Sequence, residues 1–354
     1  MADLEHHRQK IDELDKEIIH ALNERTKHAL AIGEIKMAQG EEIYAPHREL
    51  AVLDKVCRAN PGPVPAESMR AIYREIMSTS LSLEKSMTIA YLGPEATFTH
   101  QAAKKRFGAS LNYAAQKTIA DVFNEVSHQR ADYGVVPIEN STEGVVTHTL
   151  DMFIDSELKI VAQIVMPIEH CLIGNLKRSE IEVLYTHPQA LAQCRGWIMQ
   201  NLPQAEIIES SSTTRAAQKV SETPKAAAIA SALAAQTYGL EILESSLQDN
   251  PSNVTRFFVL GRKCSPPTAS DRTSLMFSLR HEVGALHTAL RIFQKHDLNL
   301  TKIESRPSKR KAWEYIFFVD FVGHFDKPPT SNAIEELREC CHFMKILGSY
   351  PVQN

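Results

Sequence analysis

No proline interrupts the first 45 residues, and only Gly33 and Gly40 fall among them. A stretch this free of the two strongest helix breakers is helical wherever its apolar residues are spaced for it. Leu4, Ile11, Leu14, Ile18, Leu22, Ala29 and Ile32 recur at three, four or seven, the period of an amphipathic helix. One helix is therefore predicted over residues 3–38, roughly 36 residues and about 54 Å long. A compact domain of this size has a radius of gyration of only about 12 Å, so one chain cannot cover such a helix. The expectation is an intertwined helical dimer. A second helix is predicted over 46–59, then the breaker N-P-G-P-V-P at 60–65, then a third helix over 66–85.

The rest of the 354-residue chain is punctuated differently. Short apolar runs now alternate with helical stretches: TIAYLG, DYGVVPIEN, KIVAQIVM, IEVLYTH, AEIIESSS, AAAIAS and TRFFVLG. That alternation predicts an α/β domain with largely parallel pairing. S-P-P-T-A-S at 265–270 reads as a linker. Beyond it the expected order is strand, helix (284–295), strand, strand (313–323), helix (331–341), strand, which is the βαββαβ ferredoxin-like unit. The chain thus reads as three domains, 1–86, 87–265 and 271–354.

Lys+Arg number 39 against 43 Asp+Glu, a formal charge of −4. There is no overall basic field of the kind that drives nucleic-acid binding. No apolar run approaches the roughly 18 residues of a membrane span, and the charged opening segment is unlike a signal peptide. Neither nucleic acid nor membrane is an expected partner, and the cytoplasm is the expected compartment. The six cysteines are scattered without a C-x-x-C, supporting neither a disulfide framework nor a metal site.

Chemistry enters through the helix faces. Arg25 and Lys36 are eleven residues apart, about 1100° of helical rotation, which returns them to within about 20° of one face. Arg8 lies about 100° away around the axis and suits a different pocket, such as the partner's. Ser80 and Glu84 stand at i, i+4 on the third helix. Any one of these charges alone reads as a solvated helix face. Together the cues R-x-K-I-D-x-L-D (8–15), N-E-R (23–25), G-x-I-K (33–36), H-R-E (47–49) and R-E-I-M-x-x-S-L-x-L-E (74–84) resemble the all-helical AroQ class of chorismate mutase. The resemblance implies rearrangement of chorismate to prephenate, which needs no metal or cofactor, only a compact conformer and stabilisation of charge on an ether oxygen. It implies that Arg8 from the other subunit and Arg25 hold the carboxylates, with Arg48 nearby. Lys36 and Glu84 would contact the ether oxygen, and Glu49 and Ser80 would position the hydroxyl and a carboxylate. Ala45 stands where some relatives carry an acid, so any contact there is through the backbone. Glu84 replaces the Gln of some relatives and donates only when protonated, so mutase activity is expected to fall as Glu84 ionises.

The middle segment has neither a G-x-G-x-x-G nor a P-loop, which argues against nucleotide binding. Instead, presumed strand ends lead into Thr97-Phe-Thr99, Glu139-Asn-Ser-Thr142, Thr186-His-Pro188, Ser210-Ser-Ser-Thr-Thr214 and Ala230-Ser231. These are ordinary N-caps or, gathered in one cleft, N–H and hydroxyl donors for an anion. G-P-E-A-T-F-T (93–99), D-Y-G-V-V-P-I-E-N-S-T-E-G-V-V (132–146), T-H-P-Q-A (186–190) and N-V-T-R-F-F-V-L (253–260) resemble prephenate dehydratase, a two-lobed α/β fold with its site between the lobes. The resemblance implies that Thr255 assists hydroxyl departure, that Glu139, Asn140 and Ser141 line the cleft, and that Ser212, Thr213 and Thr214 bind carboxylate. Arg256 either orients substrate or pairs with a surface acid.

Gly284, Ala285 and Leu286 at a helix start, with Glu304, Ser305, Arg306 and Pro307 at a strand end, match the two motifs of the ACT regulatory domains attached to such dehydratases. There the family binds phenylalanine at a dimer interface. The implied whole is a bifunctional enzyme with no cofactor, taking chorismate through prephenate to phenylpyruvate, inhibited by L-phenylalanine and assembled as a homodimer or higher oligomer. Two other readings stay open: an arogenate-preferring dehydratase, and a non-catalytic amino-acid-binding regulator.

Overall fold

The computed structural model describes residues 2–308 and 314–352, so Trp313, at the start of a predicted strand, lies outside the described residues. Three helices come first: α1 (Ala2–Ala38), α2 (Pro46–Ala59) and α3 (Ala66–Glu84), at the predicted limits to within a residue. Pro46 opens α2 with a pre-set φ and no donor to lose. These helices form one compact unit, joined by Phe107–Asn112. Phe107 packs on Tyr44, ring centroids 4.9 Å apart, and the Ser110 N–H donates to Ser78 Oγ at 3.2 Å. Leu4, Ile11, Leu14, Ile18 and Ile32, the apolar stripe of α1, are all more than half exposed.

The second unit holds the remaining elements. Its first lobe contains β1 (Thr88–Leu92), α4 (Phe98–Phe107), β2 (Asn112–Gln116), α5 (Ile119–Ser127), β3 (Tyr133–Asn140), β4 (Gly144–Val145), α6 (Thr147–Asp155) and β5 (Lys159–Pro167). The second contains β6 (Cys171–Gly174), β7 (Val183–Thr186), α7 (Pro188–Gln193), α8 (Arg195–Asn201), β8 (Glu206–Glu209), α9 (Thr213–Val220), β9 (Ala226–Ala230), α10 (Ala232–Tyr238) and β10 (Glu241–Glu244). The chain then returns through β11 (Val254–Gly261) to the middle of the first sheet, whose order is β2-β1-β3-β11-β5 with β4 on β3. The second sheet has the order β10-β6-β9-β7-β8.

Pairing is mixed, not largely parallel. The β1/β3, β7/β8 and β7/β9 ladders are parallel. The returning β11 runs antiparallel to both β3 and β5, and β6 is antiparallel to β9 and β10. Crossover helices give the parallel pairs, whereas strands that carry the chain between lobes enter against their neighbours. In β9 all five residues are buried: Ala226, Ala228 and Ala230 face the α9/α10 side, and Ala227 and Ile229 face the α7/α8 side. A strand covered on both faces loses polar alternation and reads as a continuous apolar run.

The last elements, β12 (Asp271–Leu279), α11 (Ala285–Lys295), β13 (Leu300–Pro307), β14 (Tyr315–Val322), α12 (Thr330–Cys340) and β15 (Cys341–Pro351), make the expected ferredoxin-like sheet, ordered β13-β14-β12-β15. Leu275, Phe277, Val319 and Phe321 face its two helices. Met276, Ile316, Phe318 and Tyr350, on the other face, share a core with Phe153 and Phe258 of the first lobe. Gly348 makes that contact close, since a Cβ there would run into the Ile160 carbonyl oxygen.

Candidate active sites

In the helical unit α1 and α3 bring cations against a carboxyl. Arg25 Nη1 donates to Ser80 Oγ at 3.1 Å, and the buried Ser80 hydroxyl in turn donates to the Ile76 carbonyl. Lys36 Nζ is anchored on the Ile43 carbonyl at 3.0 Å. Burial pushes the Glu84 carboxyl above its ordinary value, against the opposing pull of Lys36 and Arg25. Gly33 makes room for it, because a Cβ at that position would stand 2.9 Å from Glu84 Oε2. Tyr44 donates to Glu49 Oε2 at 3.3 Å. Ala45 is the N-cap of α2 and offers its carbonyl to the Arg48 and Glu49 N–H groups. Arg48 is exposed. Arg8 lies apart, highly exposed and 3.8 Å from Glu5.

Between the two lobes of the second unit lies a cavity of about 280 Å³. Thr97, Phe98 and Thr99 reach it from the start of α4, Asn140 and Thr255 from the ends of β3 and β11, and Ser212 and Thr213 from the start of α9. Among the described residues its lining holds no Asp, Glu, Lys or Arg. An anion there meets hydroxyls, amides and imidazoles. Thr255 and Asn140 are cross-strand partners, and Asn140 Nδ2 donates to Thr255 Oγ1 at 2.8 Å. The threonine oxygen is thereby an acceptor, and its own proton is available to the cleft.

Three residues expected in the cleft, Glu139, Ser141 and Thr214, do not line it, and of the two readings left open for Arg256 it takes the pairing with an acid. In a β-ladder the next rung points to the opposite face, so Glu139 and Arg256, paired directly beside Asn140 and Thr255, turn towards the ferredoxin-like sheet. Arg256 Nη2 meets Asp320 Oδ2 at 2.6 Å and Glu139 Oε2 at 3.2 Å. Glu139 also takes Lys302 Nζ at 2.7 Å. Burial pushes the Glu139 carboxyl up, but Lys302 and Arg256 outweigh it and hold the group below its ordinary value. Ser141 ties its hydroxyl to the backbone at Ser252 and Val254. Thr214 is fully buried behind the cleft. Ser212 serves in two ways, lining the cavity while its Oγ caps α9 by accepting from Arg215 N.

His170, His187, Gln189, Gln193 and Phe98 also line the cavity. His187 and Gln189 lie inside the T-H-P-Q-A motif, but His170 and Gln193 carry no sequence signal beyond their identity. Burial holds the His170 imidazole below its ordinary range, against a hydrogen bond with Gln193. In the ferredoxin-like module Gly284, at φ +82, is the N-cap of α11, with Ala285 half-buried and Leu286 exposed. On β13 Glu304 and Arg306 face inward while Ser305 and Pro307 are exposed. Arg306 Nη2 spans both Asp151 oxygens at 3.2 Å.

A cationic helical cluster, a neutral two-lobed cleft and a ferredoxin-like module beside it define a multidomain enzyme for small anionic substrates with an appended regulatory fold. Residues 7–85 match chorismate mutase type II, residues 89–265 prephenate dehydratase, and residues 273–339 the ACT domain. The bifunctional chorismate mutase/prephenate dehydratase of Aquifex aeolicus (strain VF5) is 50% identical over 99% of this chain and 98% of its own length. That of Neisseria gonorrhoeae is 44% identical over 98% and 96%. The chain therefore belongs to the family of bifunctional chorismate mutase/prephenate dehydratases, an isomerase and a lyase in one polypeptide. Among solved structures, a prephenate dehydratase from Arthrobacter aurescens in complex with L-Phe superposes with a TM-score of 0.70 at 33% identity, covering 75% of this chain and 90% of that one. GqqA, described as a novel type of quorum quenching acylase, reaches 0.69 at 30% identity, covering 75% and 98%. One fold thus carries differently described activities, and the chemistry rests on the site. No helix among the described residues is long and apolar enough to cross a membrane.

Proposed function

We propose that the helical unit rearranges chorismate to prephenate and that the two-lobed unit converts prephenate to phenylpyruvate, carbon dioxide and water. The observation that carries the second step is the Thr255 hydroxyl, which lines the cavity with its oxygen occupied by Asn140. Its proton then passes to the departing ring hydroxyl, which leaves as water, and the threonine is reprotonated from solvent. As that C–O bond breaks, the ring carboxylate leaves as carbon dioxide and its bonding electrons complete the aromatic ring. The Ser212 and Thr213 hydroxyls, at the positive end of α9, suit the carboxylates. For the first step, Arg25 and Ser80 would bind a carboxylate while Lys36 and a protonated Glu84 face the ether oxygen. Arg8 would complete the site of a second chain, with Arg48 and Glu49 at its margin.

The exposed apolar stripe of α1 supports a dimer through the helical unit. Domain limits of 1–86, 87–265 and 271–354 fit this division of labour. Phenylalanine is the proposed effector, bound by residues 284–286 and 304–307. Its route to the cleft is supported by β13 and β14, whose Lys302 and Asp320 grip Glu139 and Arg256 one rung from the Asn140/Thr255 pair. The cytoplasm is the proposed compartment, which cell fractionation with either assay tests. Incubation with chorismate, following prephenate and phenylpyruvate with and without phenylalanine, tests the whole. Thr255→Ala should abolish dehydratase turnover and leave mutase turnover intact; unchanged dehydratase would end the Thr255 assignment.

A further inference from the structure

Asn253 stands one residue before β11 and does not line the cleft. It borders a neighbouring polar hollow of about 240 Å³ shared with Glu143 and Asp249. From there its amide ties several side chains to Thr255, and the direction of every bond follows from the ends of the chain. Asn140 Oδ1 accepts from the backbone N–H groups of Thr142 at 2.9 Å and Glu143 at 3.0 Å, which can only donate. Asn140 Nδ2 is then the end that faces Thr255 Oγ1 and, at 2.7 Å, Asn253 Oδ1. Asn253 must turn its own Nδ2 to Gln193 Oε1, 2.9 Å away. Gln193 Nε2 is left for Glu143 Oε1 at 3.2 Å, a carboxylate that can only accept. His170 Nε2, 2.8 Å from the same Gln193 oxygen, must carry a hydrogen. In this sense each donor meets an acceptor, and reversing either middle amide sets like against like.

We infer that Asn253 is a positioning residue for the dehydratase step: its Oδ1 gives the Asn140 amide, already oriented by two backbone N–H groups, a second acceptor beside Thr255, and its Nδ2 fixes the sense of Gln193 and His170 in the cleft wall. The inference rests on the Thr255 assignment above. Chained hydrogen bonds reinforce one another in a low-dielectric interior, and Asn253 is itself buried.

The test is Asn253→Asp in the full chain with prephenate as substrate. The new carboxyl is isosteric, so shape alone is preserved. When protonated it still donates to Gln193. When ionised it cannot, and Gln193 must turn, placing its oxygen against Glu143 and its N–H group against the His170 Nε2–H. The charged or titratable groups around it are Glu143, Asp249 and His170. Dehydratase kcat is expected to fall about tenfold as pH rises through the new titration, with KM within about twofold. Adding Glu143→Gln gives the turned oxygen a donor and should recover at least half the lost rate. Adding Glu143→Ala removes the same charge without supplying a donor and should recover none. A profile that superimposes on wild type, or recovery by both second substitutions or by neither, overturns the inference. Should the aspartate variant not fold, Asn253→Ala carries the test: kcat falls about tenfold, and a loss confined to KM overturns it. If Thr255→Ala keeps full dehydratase turnover, the underlying assignment fails instead.

Discussion

Gly33 separates stability from mutase catalysis. It lies inside α1, where glycine costs about 0.5–1 kcal/mol relative to alanine, so Gly33→Ala should stabilise the helical unit by that amount. For a domain of this size, that raises the unfolding midpoint by a few degrees. The added Cβ, however, would sit 2.9 Å from Glu84 Oε2, 3.0 Å from its Cγ and 3.2 Å from its Cδ. Carbon contacts relax only near about 3.5 Å, so the carboxyl must retreat by roughly half an ångström. Misplacing a reacting group by about 1 Å costs on the order of a hundredfold, which puts the expected loss in mutase kcat near tenfold. Thermal unfolding and initial rates on chorismate read the two effects, and the rate on prephenate serves as control. An unchanged mutase rate in a stabilised variant would mean that Glu84 is not held against the reacting atoms. Mutase and dehydratase falling together would point to general damage and refute the reasoning.

Glu84→Gln should flatten the mutase pH profile, because an amide donates at every pH whereas the raised carboxyl stops donating once pH climbs past its titration; superimposable profiles refute the donor role. Asp320→Ala strips the buried Arg256 of its closest partner and should cost about 3 kcal/mol in denaturant unfolding, with weaker phenylalanine inhibition of the dehydratase. A loss below about 1 kcal/mol would mean that Glu139 alone satisfies the guanidinium. Gly348→Ala forces a methyl against the Ile160 carbonyl oxygen, where backbone has little freedom to give. A loss of about 1–3 kcal/mol is expected from that overpacking, measured by the same unfolding experiment.

The helices were legible because breakers bracket them: Pro46 opens α2 and the N-P-G-P-V-P run at 60–65 ends it. Strands with β-branched or aromatic runs were equally plain. β2, β6 and β10 were not, since four or five residues such as C-L-I-G fully buried at 171–174 show neither alternation nor length. The mixed pairing was hidden because direction depends on which lobe the chain returns from. Of the hydroxyl-rich segments, residues 97–99 and 211–213 line the cavity, while Ser210 and Thr214 do not. Glu139 leaves the cleft, and Arg256 pairs with acids instead of facing it, because a motif quotes neighbours in one breath although a strand aims them oppositely. His170, Gln193 and Asn253 converge from three distant segments, and only the fold joins them.

The adjoining rungs of β3 and β11 have a genetic consequence. Because a strand's side chains alternate with period two, gaining a single codon just upstream of Thr255 would carry the threonine into the Arg256 position beside Asp320 and swing Arg256 to the cleft face. Sliding by one residue thus destroys turnover and control at once. Short insertions in this gene should therefore survive in the surface turns but be excluded between residues 253 and 257, a pattern that a scan of single-codon insertions would reveal as one silent gap.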